Sequence, residues 1–89
     1  MPEGYEEGHD HTKLVEALEG LLEKRNESMR EASLAAGMDH GALLRYIRYE
    51  RRPTRDSVLL LADHFEMNPN DLLRLAGYRP MKMFERKKL

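Results

Sequence analysis

From Leu14 onward, apolar positions recur at helical spacing. Leu14, Val15, Leu18, Leu21 and Leu22 fall on one stripe and leave Glu16, Glu19, Glu23 and Lys24 outside it. The stripe predicts a first helix from about Thr12 to Arg25, with Gly20 a small local cost inside it and Asn26-Glu27 as its break. Ser28 and Glu31 then have the spacing of a capping box, in which each side chain meets the other residue's amide. A second helix is expected from Met29 to Ala36, rich in alanine so that a neighbour can come close, and Gly37 ends it. Only Met38 separates Gly37 from Asp39, a good cap for a third helix that starts just after it and runs to about Arg48. Leu43, Tyr46 and Ile47 form its inner side. Pro53 blocks simple continuation, because the residue before a proline is pushed out of the α region.

Thr54 caps a fourth helix whose apolar set is Val58, Leu61, Ala62 and Phe65. Asn68-Pro69-Asn70-Asp71 opens a fifth, which carries Leu72, Leu73 and Leu75 and stops at Gly77. Helices this short are unstable alone and must share a core. Leu18, Leu22, Ala32, Met38, Leu43, Ile47, Leu61, Ala62, Phe65, Met67 and Leu72 are its predicted members. The expected class is all-α, with the second and third helices meeting across a three-residue turn. Residues 1–11 read as a flexible acidic arm, 12–77 as the helical domain, and 78–89 as a basic, Met-containing tail, either loose or a short extra helix.

Composition sharpens this picture. Hydrophobic residues make up 40% of the 89, charged ones 35%, and tryptophan is absent, so the core is built from aliphatic side chains. Without cysteine there are no disulfides and no thiolate zinc sites, in agreement with a reducing compartment. No apolar run approaches the roughly 18 residues of a membrane span, and the acidic start is unlike a secretory leader, so a cytoplasmic protein is expected. The formal net charge of -1 hides a split by position. Acids dominate up to Glu27, whereas Arg45, Arg48, Arg51, Arg52 and Arg55 crowd the middle and Arg79, Lys82, Arg86, Lys87 and Lys88 the end. Such a chain can show a cationic face to phosphates while its total stays near zero.

Candidate chemistry is sparse. His9-Asp10-His11 has ligand-type atoms but sits in the arm with no organised partners, and His64 reads as ordinary surface. No nucleophile triad, phosphate-binding glycine loop or carboxylate pair is apparent, so neither enzymatic activity nor a cofactor is expected.

The run Ser28-Met29-Arg30-Glu31-Ala32-Ser33-Leu34-Ala35-Ala36-Gly37-Met38-Asp39, followed by Leu43, Tyr46-Ile47 and Arg51-Arg52-Pro53-Thr54, resembles the Cro/C1-type (XRE-like) helix-turn-helix family. Val58, Leu61-Ala62, Phe65, Met67 and Leu72-Leu73 extend the resemblance to some sixty residues, Leu14 to Gly77. It implies a five-helix, lambda-repressor-like DNA-binding domain with the helix-turn-helix at helices 2–3. It also implies a transcriptional regulator of double-stranded DNA, often dimeric on a palindromic operator. Carried over by residue, His40, Gly41, Leu44 and Arg45 are candidates to read base edges in the major groove. Ser28, Arg48, Arg51, Arg52, Thr54 and Arg55 are candidates to contact phosphates. Each has a plainer reading as solvated surface or as a cap.

This chain departs from the family in two places. Met29 stands where many members have a glutamine that helps hold phosphate. Tyr49 stands where many have glycine; since positive φ would strain a tyrosine, a rearranged loop or a third helix longer by one turn is expected. A homodimer would use Leu73, Leu75, Tyr78, Met81, Met83 and Phe84, which could equally finish the monomer's own core. The rival function is a protein-interaction or antitoxin-like module that holds a partner through the acidic first helix or the tail.

Overall fold

Serine, threonine and asparagine begin three of the helices, and each does so by taking a backbone amide of the first turn on its side-chain oxygen. Ser28 accepts from Glu31, Thr54 from Ser57 and Asn68 from Asn70. The Ser28–Glu31 box is complete, with the Ser28 amide donating to the Glu31 carboxylate at 2.9 Å. In the computed structural model, which describes residues 11–81, the helices are α1 (Thr12–Arg25), α2 (Met29–Ala35), α3 (Ala42–Ile47), α4 (Arg55–His64) and α5 (Pro69–Leu75). The fold is all-α, with no strand among the described residues. None of these helices is long and apolar enough to cross a membrane.

Each of the five helices closes in the same way. The residue after the last turn turns left-handed, at Asn26, Gly37, Tyr49, Glu66 and Gly77. Its amide and the next one fold back onto the helix's last carbonyls, as when Tyr49 donates to Tyr46 at 3.1 Å and Glu50 to Arg45 at 2.8 Å. Glycine adopts this conformation freely at Gly37 and Gly77; a side chain makes it costly at the other three. Tyr49 therefore overturns the sequence expectation, because its φ is 60° and α3 is not extended. Its ring lies 4.9 Å from that of His11, a contact no local pattern announces.

α4 packs chiefly on α5, α2 on α3, and α1 against α5, around a shared interior. Leu14, Leu18, Leu43, Val58, Leu61, Leu72 and Leu73 have no exposed surface. Met38, Ile47 and Met67 are only half-buried and pack against this core from its rim. Ser33 is fully buried among them, and its hydroxyl accepts the amide of Leu43 at 3.1 Å. The bond joins the middle of α2 to the first turn of α3.

Three boundaries need correction. The link between α2 and α3 spans residues 36–41 rather than three residues, and α3 begins at Ala42. Asp39 instead opens a tight turn, its carboxylate accepting the Gly41 amide at 3.0 Å and its carbonyl that of Ala42 at 3.0 Å. His11, assigned to the arm, is buried, and its Nε2 lies 2.9 Å from the Tyr46 carbonyl. A carbonyl only accepts, so this nitrogen carries the proton. At the other end, Leu73 and Tyr78 belong to the chain's own core, and the Tyr78 hydroxyl donates to the Pro53 carbonyl at 2.7 Å. They are not available for a dimer contact. Leu75 and Met81 are half-buried against the same core, and Asn70 clasps both backbone groups of Met81, at 2.7 and 3.0 Å. Met83 and Phe84 lie outside the described residues.

Replacing Ser33 with alanine should cost about 1–3 kcal/mol, since it leaves the Leu43 amide buried and unpaired. Urea denaturation of the two proteins measures the difference. Glu66→Gly should raise stability by about 0.5–1 kcal/mol by relieving the left-handed strain. Tyr49→Gly should gain less, because it also removes the ring packed on His11; parallel thermal melts give the order.

Candidate functional site

The beginning of α2 and the exposed side of α3 enclose a concavity of about 490 Å³. It is lined by Ser28, Met29 and Arg30 from one side and His40, Gly41, Leu44, Arg45 and Glu50 from the other. All four base-reading candidates therefore meet in one place, together with Ser28. Helical spacing explains the convergence: Gly41, Leu44 and Arg45 stand three and four residues apart, opposite the face that buries Leu43 and Tyr46.

Met29 and Leu44 give this hollow an apolar floor. Met29 packs partly against the core, whereas Leu44 is 38% exposed. Arg30, His40 and Arg45 are exposed cationic or potentially cationic groups around that floor. Arg30 and Met29 were not among the sequence candidates, although their place beside the Ser28 cap is the signal that could have found them.

Arg45 does not stand alone. Its Nη1 donates to Asp39 Oδ2 at 2.9 Å, and the same carboxylate oxygen receives the Gly41 amide. The guanidinium passes so close to Gly41 that a methyl group there would lie 3.5 Å from Arg45 Cζ and Nη2. The Arg45 hydrogen bond, and then the Gly41 amide, hold the Asp39 carboxyl below its ordinary value. The Ser28 backbone amide does the same for Glu31.

The phosphate candidates divide. Arg48 pairs with Glu50 at 3.3 Å, both side chains open to solvent. Arg51 and Arg52 are exposed on the loop that follows. Thr54 is engaged as the α4 cap, its hydroxyl accepting from the Ser57 amide and donating to Ser57 Oγ. Arg55 turns toward the tail, donating to the Arg79 carbonyl at 3.1 Å with its guanidinium 5.4 Å from the Tyr78 ring centre. Neither Thr54 nor Arg55 lines the concavity.

A smaller hollow on the other side of Ser28 has the opposite sign. Glu23, Glu27 and Glu31 line it, and Glu27 is already paired with Arg25 at 3.2 Å and His64 at 2.8 Å. His64, read as plain surface, is thus a half-buried strut between the ends of α1 and α4. No group of three or more potential metal ligands is assembled among the described residues. His9 and Asp10 lie outside them.

No family model, curated protein or solved structure matches the chain. What the site does is therefore carried by its own residues.

Both lowered carboxyls set a direction for acid stability. Their folded values lie below the ordinary 4.5 of Glu31 and 3.8 of Asp39, so the ionised forms contribute stability above those values. That contribution disappears as pH falls through the lowered folded values. Thermal midpoints followed from neutral to strongly acid pH should fall further for the wild type than for a Glu31→Ala, Asp39→Ala double variant.

Proposed function

We propose that this chain is a sequence-specific, double-stranded DNA-binding transcriptional regulator of the helix-turn-helix type. In this reading α2, the link 36–41 and α3 form the motif, and α3 enters the major groove. The observation that carries it is the convergence of Ser28, His40, Gly41, Leu44 and Arg45 on one open concavity, with Arg48, Arg51 and Arg52 exposed in the segment that follows α3.

The dimensions agree with the role. A major groove about 12 Å wide takes one helix, and the turn before α3 places Gly41, which has no side chain, beside Leu44 and Arg45 where a base edge must come close. Arg45 supplies the donor fork that suits guanine O6 and N7. The apolar floor of Met29 and Leu44 suits the methyl group of a pyrimidine better than it suits water. Ser28 keeps its hydroxyl proton to donate to a phosphate, since its oxygen is the part used by the cap. Arg51 and Arg52, on the loop, supply charge without sequence choice.

Labelled duplexes, both selected from a random library and unselected, should be titrated at several salt concentrations. The wild type should prefer the selected duplex. Arg45→Ala should relax choice at one base pair by about 1–3 kcal/mol. Arg52→Ala should weaken all sequences alike and flatten the salt dependence by about one ion. Equal binding of selected and unselected DNA by the wild type would refute the regulator reading. A palindromic consensus among the selected duplexes would show two copies of the chain per site.

A further inference from the structure

An acid that grips an arginine meant for a polyanion needs a reason. Asp39 is such an acid: its side chain is 57% exposed, and it grips Arg45, the one arginine of α3 that lines the concavity. We infer that Asp39 is a positioning residue that decides which duplexes Arg45 accepts, holding the guanidinium for a guanine edge and withholding its charge from phosphate. The inference rests on the DNA-binding reading given above.

Three observations carry it. Asp39 is itself fixed, because the Gly41 amide holds the same oxygen that Arg45 reaches, so the carboxylate is an anchored acceptor rather than a swinging one. The guanidinium lies beside Gly41, where a side-chain carbon would stand in ordinary contact with it, 3.5 Å from its Cζ and Nη2, so the room it occupies is bounded by the turn. Moreover, Asp39 and Arg45 are six residues apart, outside the three- and four-residue spacing at which side chains on one helix pair by default, so the contact depends on the turn before α3.

Two consequences follow for binding. An arginine side chain has many rotamers, and ordering it on each encounter opposes binding. Asp39 orders Arg45 beforehand while using one of its five donor hydrogens, which leaves donors on Nε and Nη2 for a ligand. The pair is also close to neutral as a unit. Phosphate responds to net charge and gains little from it, whereas guanine O6 and N7 respond to placed donors. Asp39 thereby lowers indiscriminate affinity and keeps the directional contact.

Asp39→Asn separates these effects, because the amide oxygen can still take the Gly41 amide while the charge is lost. Asp71→Asn is the control, since Asp71 pairs with Arg74 at 3.2 Å on α5, away from the concavity, and its replacement removes the same charge. In titrations of selected and random duplexes, Asp39→Asn should lower the selected-to-random ratio about fivefold or more, the lower end of what one bidentate base contact is worth. It should also steepen the salt dependence by about one ion as Arg45 turns to phosphate. Asp71→Asn should change affinity for both duplexes by the same factor and leave the ratio unchanged. In the free protein, the two Arg45 Nη groups should give separate NMR signals in the wild type and merged ones in Asp39→Asn.

An unchanged ratio and salt slope in Asp39→Asn, with a discriminating wild type, would overturn this inference and leave the DNA-binding reading standing. Equal loss of the ratio in both variants would overturn it too, by making the effect one of bulk charge. A wild type that does not discriminate would remove both.

Discussion

The amide of Leu43 sits in the first turn of a six-residue helix, where no carbonyl within that helix can reach it. Ser33 answers it from a fully buried position on α2, and the placement of α3 depends on that bond. A helix so short has little intrinsic stability, so its orientation must come from outside. It is held by the Ser33 hydroxyl at its start, by Leu43 and Tyr46 in the core, and by the His11 imidazole on the Tyr46 carbonyl near its end. These three attachments leave the opposite face, with Leu44 and Arg45, as the side that can meet a ligand.

What could be read from the amino-acid sequence follows the range of the interactions. α1, α2, α4 and α5 were legible because their signals lie within four residues: the Leu14–Leu22 stripe, the Ser28–Glu31 box, Thr54, and Asn68 followed by Pro69. The start of α3 was misplaced for a related reason. Asp39 is a competent cap by residue type, yet here it serves the turn and the Arg45 guanidinium, a partner six residues away. His11, Tyr49 and Tyr78 were misjudged because the groups that settle them lie 25 to 38 residues off in the chain. No local pattern encodes a ring that shelters a left-handed tyrosine, or a carbonyl at Pro53 waiting for a phenol.

The site was legible in part. His40, Gly41, Leu44 and Arg45 are brought together, Leu44 and Arg45 by their adjacency on α3, and His40 and Gly41 by the turn that leads into it. What spacing could not supply was the charge balance. Arg45 and Arg48 each carry an acid beside them, and Arg55 is turned toward the tail, so counting arginines overstates the field this surface projects. Nor could spacing supply the floor of the hollow. Met29 loses a hydrogen-bonding role by its chemistry and acquires an apolar one by its neighbour Leu44.

The seating of His11 has an outcome for protein engineering. Because this residue is pinned to the closing turn of α3 and its ring lies tilted against that of Tyr49, any polypeptide joined directly to it starts at the flank of that helix. A purification handle or fluorescent fusion attached there would act as a tethered obstacle or a tethered ally, according to its bulk and charge. Reporters meant to leave the α3 surface unobstructed should be attached elsewhere.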